Sequence, residues 1–251
     1  MSVLTRAAVP VFDSLARRRT ARAFHPRGAL FAAHVTLVGS SPTVTALGGP
    51  AEHPAFVRIS KGFGTAGSRP DLLGLAVRLT DLPDGPVDLL FSTVGRHLVT
   101  QAIFGIATGW CTRPFSTVLP YRADGVLVRV GLQPQDPDRA RGTDPQVARE
   151  AVRQEPLAFT LTEKRGGTGW TPIGEMVVHL PMPDDAADDG PGGTDPVAFD
   201  PVVNAHARLR PVRPLAGLRA AAYTGSRRGR GADGVVGSAS ETAVVGVGSD
   251  G

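Results

Sequence analysis

Two residues of this chain have neighbours that could give them chemistry. Tyr223, one of 2 tyrosines in 251 residues, stands four residues after Arg219 and seven before Arg230. A phenol framed by two permanent cations reads in one of two ways. It is a solvated helix end running into a basic tail, or a phenolate kept ionised to hold a metal. His25 lies in "RAFHPRGALFAA", three residues after Arg22 and three before Gly28. Taken alone it is a structural histidine entering a strand; beside the Tyr223 stretch it becomes a second candidate for one site.

Other chemistry finds little to stand on. "GFGTAG" (62–67) matches the dinucleotide pattern GxGxxG, but that pattern needs a helix after it to receive a phosphate. Here "SRPDLLGLAVRLT" follows, with Pro70 and then a strand, so the stretch reads as a turn. The 6 histidines form no HxH, HExxH or His–carboxylate cluster, and there is no GxSxG elbow. The 1 cysteine, Cys111, excludes an intrachain disulfide framework and a Cys-rich zinc site, and reads as a small buried hydrophobe. "SRRGRG" (226–231) reads as a solvated basic tail rather than a nucleic-acid contact.

The elements that must position these residues are mainly strands. Apolar content of 41% supports a sizeable core, and 31 Gly with 22 Pro point to many turns. Short β-rich runs, several with apolar–polar alternation, fall at 29–39, 55–60, 74–80, 87–92, 125–132, 156–163 and 176–181. Helices are expected near 95–108 and at 145–154, the second opening on Pro145 as a first-turn residue. Strands without regularly interposed helices argue against a parallel doubly wound sheet. An antiparallel barrel or sandwich with peripheral helices, an α+β organisation, fits better. Residues 1–21 form a basic lead-in, 184–195 an acidic Gly-rich loop, and 232–251 a low-complexity segment expected to be disordered. With no apolar run of secretory or membrane-spanning length, the expected setting is soluble and cytoplasmic.

Four separated blocks then tie the ends of the chain together. They are "RAFHPRGALF", "VRISKGFGTAGSRPDLLGLAVRL" (57–79), "VDLLFSTV" (87–94) and "RPLAGLRAAAYTGSRRGR" (213–230). In type, order and spacing they resemble the haem-dependent catalase superfamily, in its small, minimal-domain branch. The resemblance implies a catalase-like antiparallel β-barrel with flanking helices over residues 22–231, carrying haem b between His25 and Tyr223. It makes Tyr223 the axial iron ligand, as tyrosine is in catalase, with Arg219 stabilising the phenolate from the same helical face. Arg22 and Arg58 match the propionate-binding arginines, and Arg230 falls near a propionate or behind the ligand. His25 would move a peroxide proton from the inner to the outer oxygen, with Ser60 orienting it.

The family's distal asparagine belongs to the third block, where this chain has Ser92 and Thr93; Thr93 is taken as its counterpart. Phe24 also replaces a small β-branched residue before the histidine. These departures imply a peroxidase-like use of hydrogen peroxide or an organic hydroperoxide to oxidise a small organic or lipid substrate, with weak catalase activity. The rival reading is a non-catalytic haem or lipid carrier on the same fold. Either is compatible with a homo-oligomer, and neither needs a membrane span or nucleic acid.

Overall fold

The computed structural model describes residues 27–95, 104–117, 120–183, 199, 201 and 203–212. Arg22, His25, Arg219, Tyr223 and Arg230 lie outside the described residues, as do the lead-in, the acidic loop and the C-terminal low-complexity segment.

Eight strands close on themselves: β1 (Arg27–Leu37), β2 (Ala51–Lys61), β3 (Asp71–Leu79), β4 (Val87–Thr93), β6 (Phe115–Ser116), β8 (Val126–Pro134), β9 (Leu157–Arg165) and β10 (Trp170–Pro181). Each pairs antiparallel with its neighbours, and the β8–β9 ladder seals the ring. The short β5 (Ile106–Ala107) pairs with the start of β3, while β7 (Tyr121–Ala123) and β11 (Leu209–Pro211) extend the sheet beyond β8. The alternative left open by the strand pattern is settled: this is a barrel, not a sandwich.

Alternation decides what faces inward. Ala29, Phe31, Ala33, Val35 and Leu37 of β1 are all buried in the core, as are Val87, Leu89 and Phe91 of β4. Core side chains fill the interior, and two voids among them measure about 10 Å³ each. A space of that size admits at most about one water.

Helix α1 (Pro42–Ala46) inserts Val44 and Ala46 into the core, and the buried Glu163 carboxylate accepts from the Thr43 N–H at 2.8 Å. Helix α2 (Pro145–Gln154) spans the residues expected, with Asp144 accepting from the Gln146 N–H and Pro145 in the first turn. Its buried Ala148, Ala151 and Val152 face the barrel, and Arg149 lies over the Phe31 ring at 6.0 Å.

Two expectations are corrected. The described end of the helix expected at 95–108 is β5, because Ile106 and Ala107 pair with Leu72 and Asp71. The α+β description is also too generous: among the described residues the helices total 5 and 10 residues against a closed barrel of strands. None of these helices is long and apolar enough to cross a membrane.

Candidate functional site

If odd-numbered positions of β2, β3 and β4 fill the barrel, even-numbered ones form its outer wall. Arg58 and Ser60 therefore stand together on that wall, 8% and 5% exposed. Cross-strand register extends the surface in rows. Ser60 stands opposite Gly28 on β1 and Gly74 on β3, and Gly74 opposite Ser92 on β4. Arg58 stands between Leu30 and Ala76, and Ala76 opposite Leu90. Directly opposed residues bring their side chains within contact, so Arg58, Ser60 and Ser92 share one wall lined mostly by small residues.

Gly28 shows how tightly this wall is built. A Cβ there would sit 2.5 Å from the Ile59 carbonyl oxygen and 3.0 Å from both Cζ and an Nη of Arg58. The guanidinium thus lies across the glycine, at the start of β1. That places a permanent cation beside the strand entry which, in sequence, His25 and Arg22 immediately precede. The glycine at 28 is therefore a packing requirement as much as a motif.

Thr93 is on the other face. Its side chain is fully buried, its hydroxyl accepts from the Leu73 N–H at 3.1 Å, and it donates to the Gly105 carbonyl at 2.6 Å. It joins the interior wall to the β5 strand and is not brought together with Arg58 and Ser60. The third-block residue on their wall is Ser92. The apolar alternation Val87, Leu89, Phe91 held the signal that separates the two.

A further pair joins the second block to the third. Asp88, fully buried, faces Arg78 across the β3–β4 ladder and accepts from its Nε and Nη2 at 2.6 and 2.7 Å.

The remaining candidates resolve into structural roles. The "GFGTAG" turn closes on the chain's own carboxylate: Asp71 accepts from the N–H groups of Phe63 and Thr65 and from the Thr65 hydroxyl, all at 2.8 Å. Lys61, fully buried, donates to the Gly67 carbonyl at 2.7 Å and the Thr143 hydroxyl at 2.9 Å. The turn thus wraps an internal anion and is not followed by the helix that a phosphate site of this pattern needs. Cys111 is buried, and desolvation pushes its thiol up to about 12, outweighing the nearby Arg139. It is no nucleophile at neutral pH. Among the described residues no three His, Cys, Asp or Glu side chains converge on a metal position.

The closed eight-stranded antiparallel barrel is catalase-like. The comparisons agree on the fold. Catalase A from Saccharomyces cerevisiae superposes with a TM-score of 0.64 at 12% identity, over 88% of this chain and 64% of that one. A fungal catalase gives 0.62 at 14% identity over 88% and 62%, and a bacterial catalase 0.62 at 12% over 89% and 60%. The chain thus spans less than two thirds of the length of these catalases. No protein-family model matches the sequence, and no curated protein does.

Proposed function

We propose that this chain is a small catalase-like haem protein that uses hydrogen peroxide or an organic hydroperoxide to oxidise an organic substrate. The observation that carries the reading is the Arg58 guanidinium laid across Gly28 on a wall of small residues, with Ser60 beside it. A buried guanidinium is costly to desolvate, and it suits a carboxylate-bearing flat ligand whose ring needs a wall without bulky side chains.

In this reading Arg58 and Arg22 neutralise the two propionates. Tyr223 would hold the iron as its anion, with Arg219 stabilising that charge. Arg230 supports either a propionate or the ligand from behind. When bound, haem supplies the redox chemistry for cleaving a peroxide O–O bond. The chain's own part is proton management. His25 accepts the proton from the inner peroxide oxygen and returns it to the outer one, and Ser60 orients the ring through a hydrogen bond. Ser92, on the Ser60 side of the barrel wall, is better placed than Thr93 to touch peroxide. A hydroxyl is a smaller hydrogen-bonding group than an asparagine amide, so organic substrate oxidation is favoured over disproportionation.

The deciding experiment is a haem titration followed by peroxide-dependent oxidation of a phenolic donor. Arg58→Met should weaken haem retention by about tenfold or more, on the scale of a lost charge-assisted bond, while Arg58→Lys retains part of it. Haem affinity unchanged in Arg58→Met would remove the site from this wall.

A further inference from the structure

The cations of β7, β8, β9 and β11 collect on one outer face. In these strands Tyr121, Ala123, Val128, Val130, Glu163 and Leu209 are buried. The outward positions between them carry Arg122, Leu127, Arg129, Lys164 and Arg210. Register sets these side by side. Arg210 on β11 stands opposite Arg122 on β7, and Arg122 opposite Leu127 on β8. Two residues further along β8, Arg129 stands opposite Lys164 on β9, and Lys164 opposite Trp170 on β10. The Trp170 ring lies over the same face, since a Cβ at Gly131 would sit 2.8 Å from its Cζ3.

The chain returns to this face as a strap, 203–212, which Asn204 ties to the barrel by donating from Nδ2 to Asp88 at 2.8 Å. Further along the strap, Arg208 forks onto Asp124 at 2.8 and 2.6 Å. Asp124 is the one carboxylate on these rows among the described residues, and Arg208 already matches it. Like charges directly opposed across a ladder destabilise it. Here there are two such pairs, Arg122 with Arg210 and Arg129 with Lys164. Stability does not account for them; an anionic surface laid over the face does.

At the tip between β7 and β8, Asp124 and Gly125 have φ of 46° and 89°, the primed two-residue turn of a tight hairpin. Arg122 Nη1 braces it by donating to the Gly125 carbonyl at 2.8 Å. The stiff tip holds Val126 and Leu127 41% and 46% exposed. Single exposed apolar residues are ordinary. A pair of them at a hairpin tip, with cations beside it, matches the headgroup layer of a bilayer. There aliphatic side chains enter the acyl boundary, cations sit among lipid phosphates, and indole lies at the interface. Single-stranded nucleic acid would use the cations, but it needs rings on which successive bases stack. The residue in the middle of this face is Leu127.

We infer that the outer face of β11, β7, β8 and β9, led by the 123–127 hairpin tip, docks on membrane surfaces rich in anionic phospholipid. Strand β8 lies opposite β2 in the ring, reached through β3, β4 and β6 one way and β1, β10 and β9 the other. Docking therefore leaves the Arg58 wall turned away from the lipid, and the inference stands apart from the haem reading.

The test is binding of the full chain to phosphatidylcholine vesicles with and without phosphatidylserine, at low and at physiological salt. The sequence has other basic stretches, at 17–22 and 226–231, so the readout comes from this face. Of the 2 tryptophans, Trp110 is buried in the core at 2% exposure and Trp170 is partly exposed. Wild type should bind the phosphatidylserine vesicles, and brominated lipid should quench Trp170, a signal that Trp170→Phe removes. Arg122→Gln, Arg129→Gln and Arg210→Gln together should lower affinity by about 10²-fold, at about fivefold per cation near the surface. The same triple variant should show a flatter salt dependence and a thermal midpoint no lower than wild type, since opposed like charges are removed. Leu127→Ser should lower affinity by about 5- to 10-fold, while Arg17→Gln, Arg18→Gln and Arg19→Gln together leave the quenching in place. Vesicle binding without quenching of Trp170, or undiminished affinity in the triple variant, would overturn the inference, as would no binding at low salt. A single-stranded oligonucleotide that binds where vesicles do not, and is lost in the triple variant, would overturn it too and make the face a nucleic-acid site.

Discussion

Ser92 and Thr93 divide the chemistry of β4 between two faces, although they are adjacent in sequence. Asparagine at position 92 would stand on the wall of Arg58 and Ser60, whereas asparagine at 93 would have to replace a hydroxyl that bridges the Leu73 N–H and the Gly105 carbonyl. Ser92→Asn should therefore raise oxygen evolution from hydrogen peroxide relative to donor oxidation, with the fold unchanged. Thr93→Asn should instead destabilise the protein by about 1–3 kcal/mol, the cost of a broken buried pairing; oxygen evolution combined with urea unfolding distinguishes the two. His25→Ala should leave the haem spectrum largely intact yet slow peroxide consumption by about 10²-fold or more. If peroxide is consumed as fast as in wild type, His25 has no catalytic part, and the haem-carrier reading becomes the better one. Cys111 offers a further check through pH. A thiol whose native value is raised favours the folded state below its ordinary value of 9.0 and loses that advantage as pH climbs toward about 12. Part of the alkaline fall in stability should accordingly vanish in Cys111→Ala.

Elements were legible where one physical signal sufficed. β-rich runs, several of them alternating, marked seven barrel strands, and Pro145 marked the start of α2 because a first-turn proline is a local device. What escaped was set by partners distant in sequence. β5, β6, β7 and β11 are two or three residues long, too short to show a period, and exist because a neighbouring strand pairs with them. The apolar run ending at Ala107 looks helical until Asp71 and Leu72 claim its end as a strand partner. The site followed the same division. Arg58 and Ser60 were readable from their block, but the face of Thr93 depended on strand phase, and Asn204 acquires its meaning only through Asp88, 116 positions away. The returning strap carries its own pH prediction. The Arg208 hydrogen bonds hold the Asp124 carboxyl below its ordinary range, against a smaller opposing effect of desolvation. A lowered native value stabilises above the unfolded value of 3.8 and is lost as pH falls through the native one. Strap amides should stay protected from neutrality down to about pH 4 and exchange faster in stronger acid, an effect that Asp124→Asn should blunt and added salt should weaken.

At the scale of the molecule, the barrel ring closes within residues 27–181, and the segment 203–212 adds β11 to the sheet beyond β8 and Leu209 to the core. Among the described residues, β8 and β9 pair with each other to shut the ring. Folding and haem binding should therefore separate along the chain. A protein ending after Gly231 keeps the Arg219–Tyr223–Arg230 block and loses only the low-complexity segment, so its haem content and thermal midpoint should match those of the full chain. A protein ending after Val212 keeps every described strand and should still unfold cooperatively, yet it lacks the proposed iron ligand, Tyr223, and on that reading should take up no haem with the full chain's spectrum. Calorimetry and haem titration of the two truncations answer both questions. Loss of the unfolding transition in the longer form would mean that residues after 231 are needed to fold the barrel. Full haem uptake with an unchanged ferric spectrum in the shorter form would place the iron ligand within the barrel and strap, and would remove Tyr223 from the site.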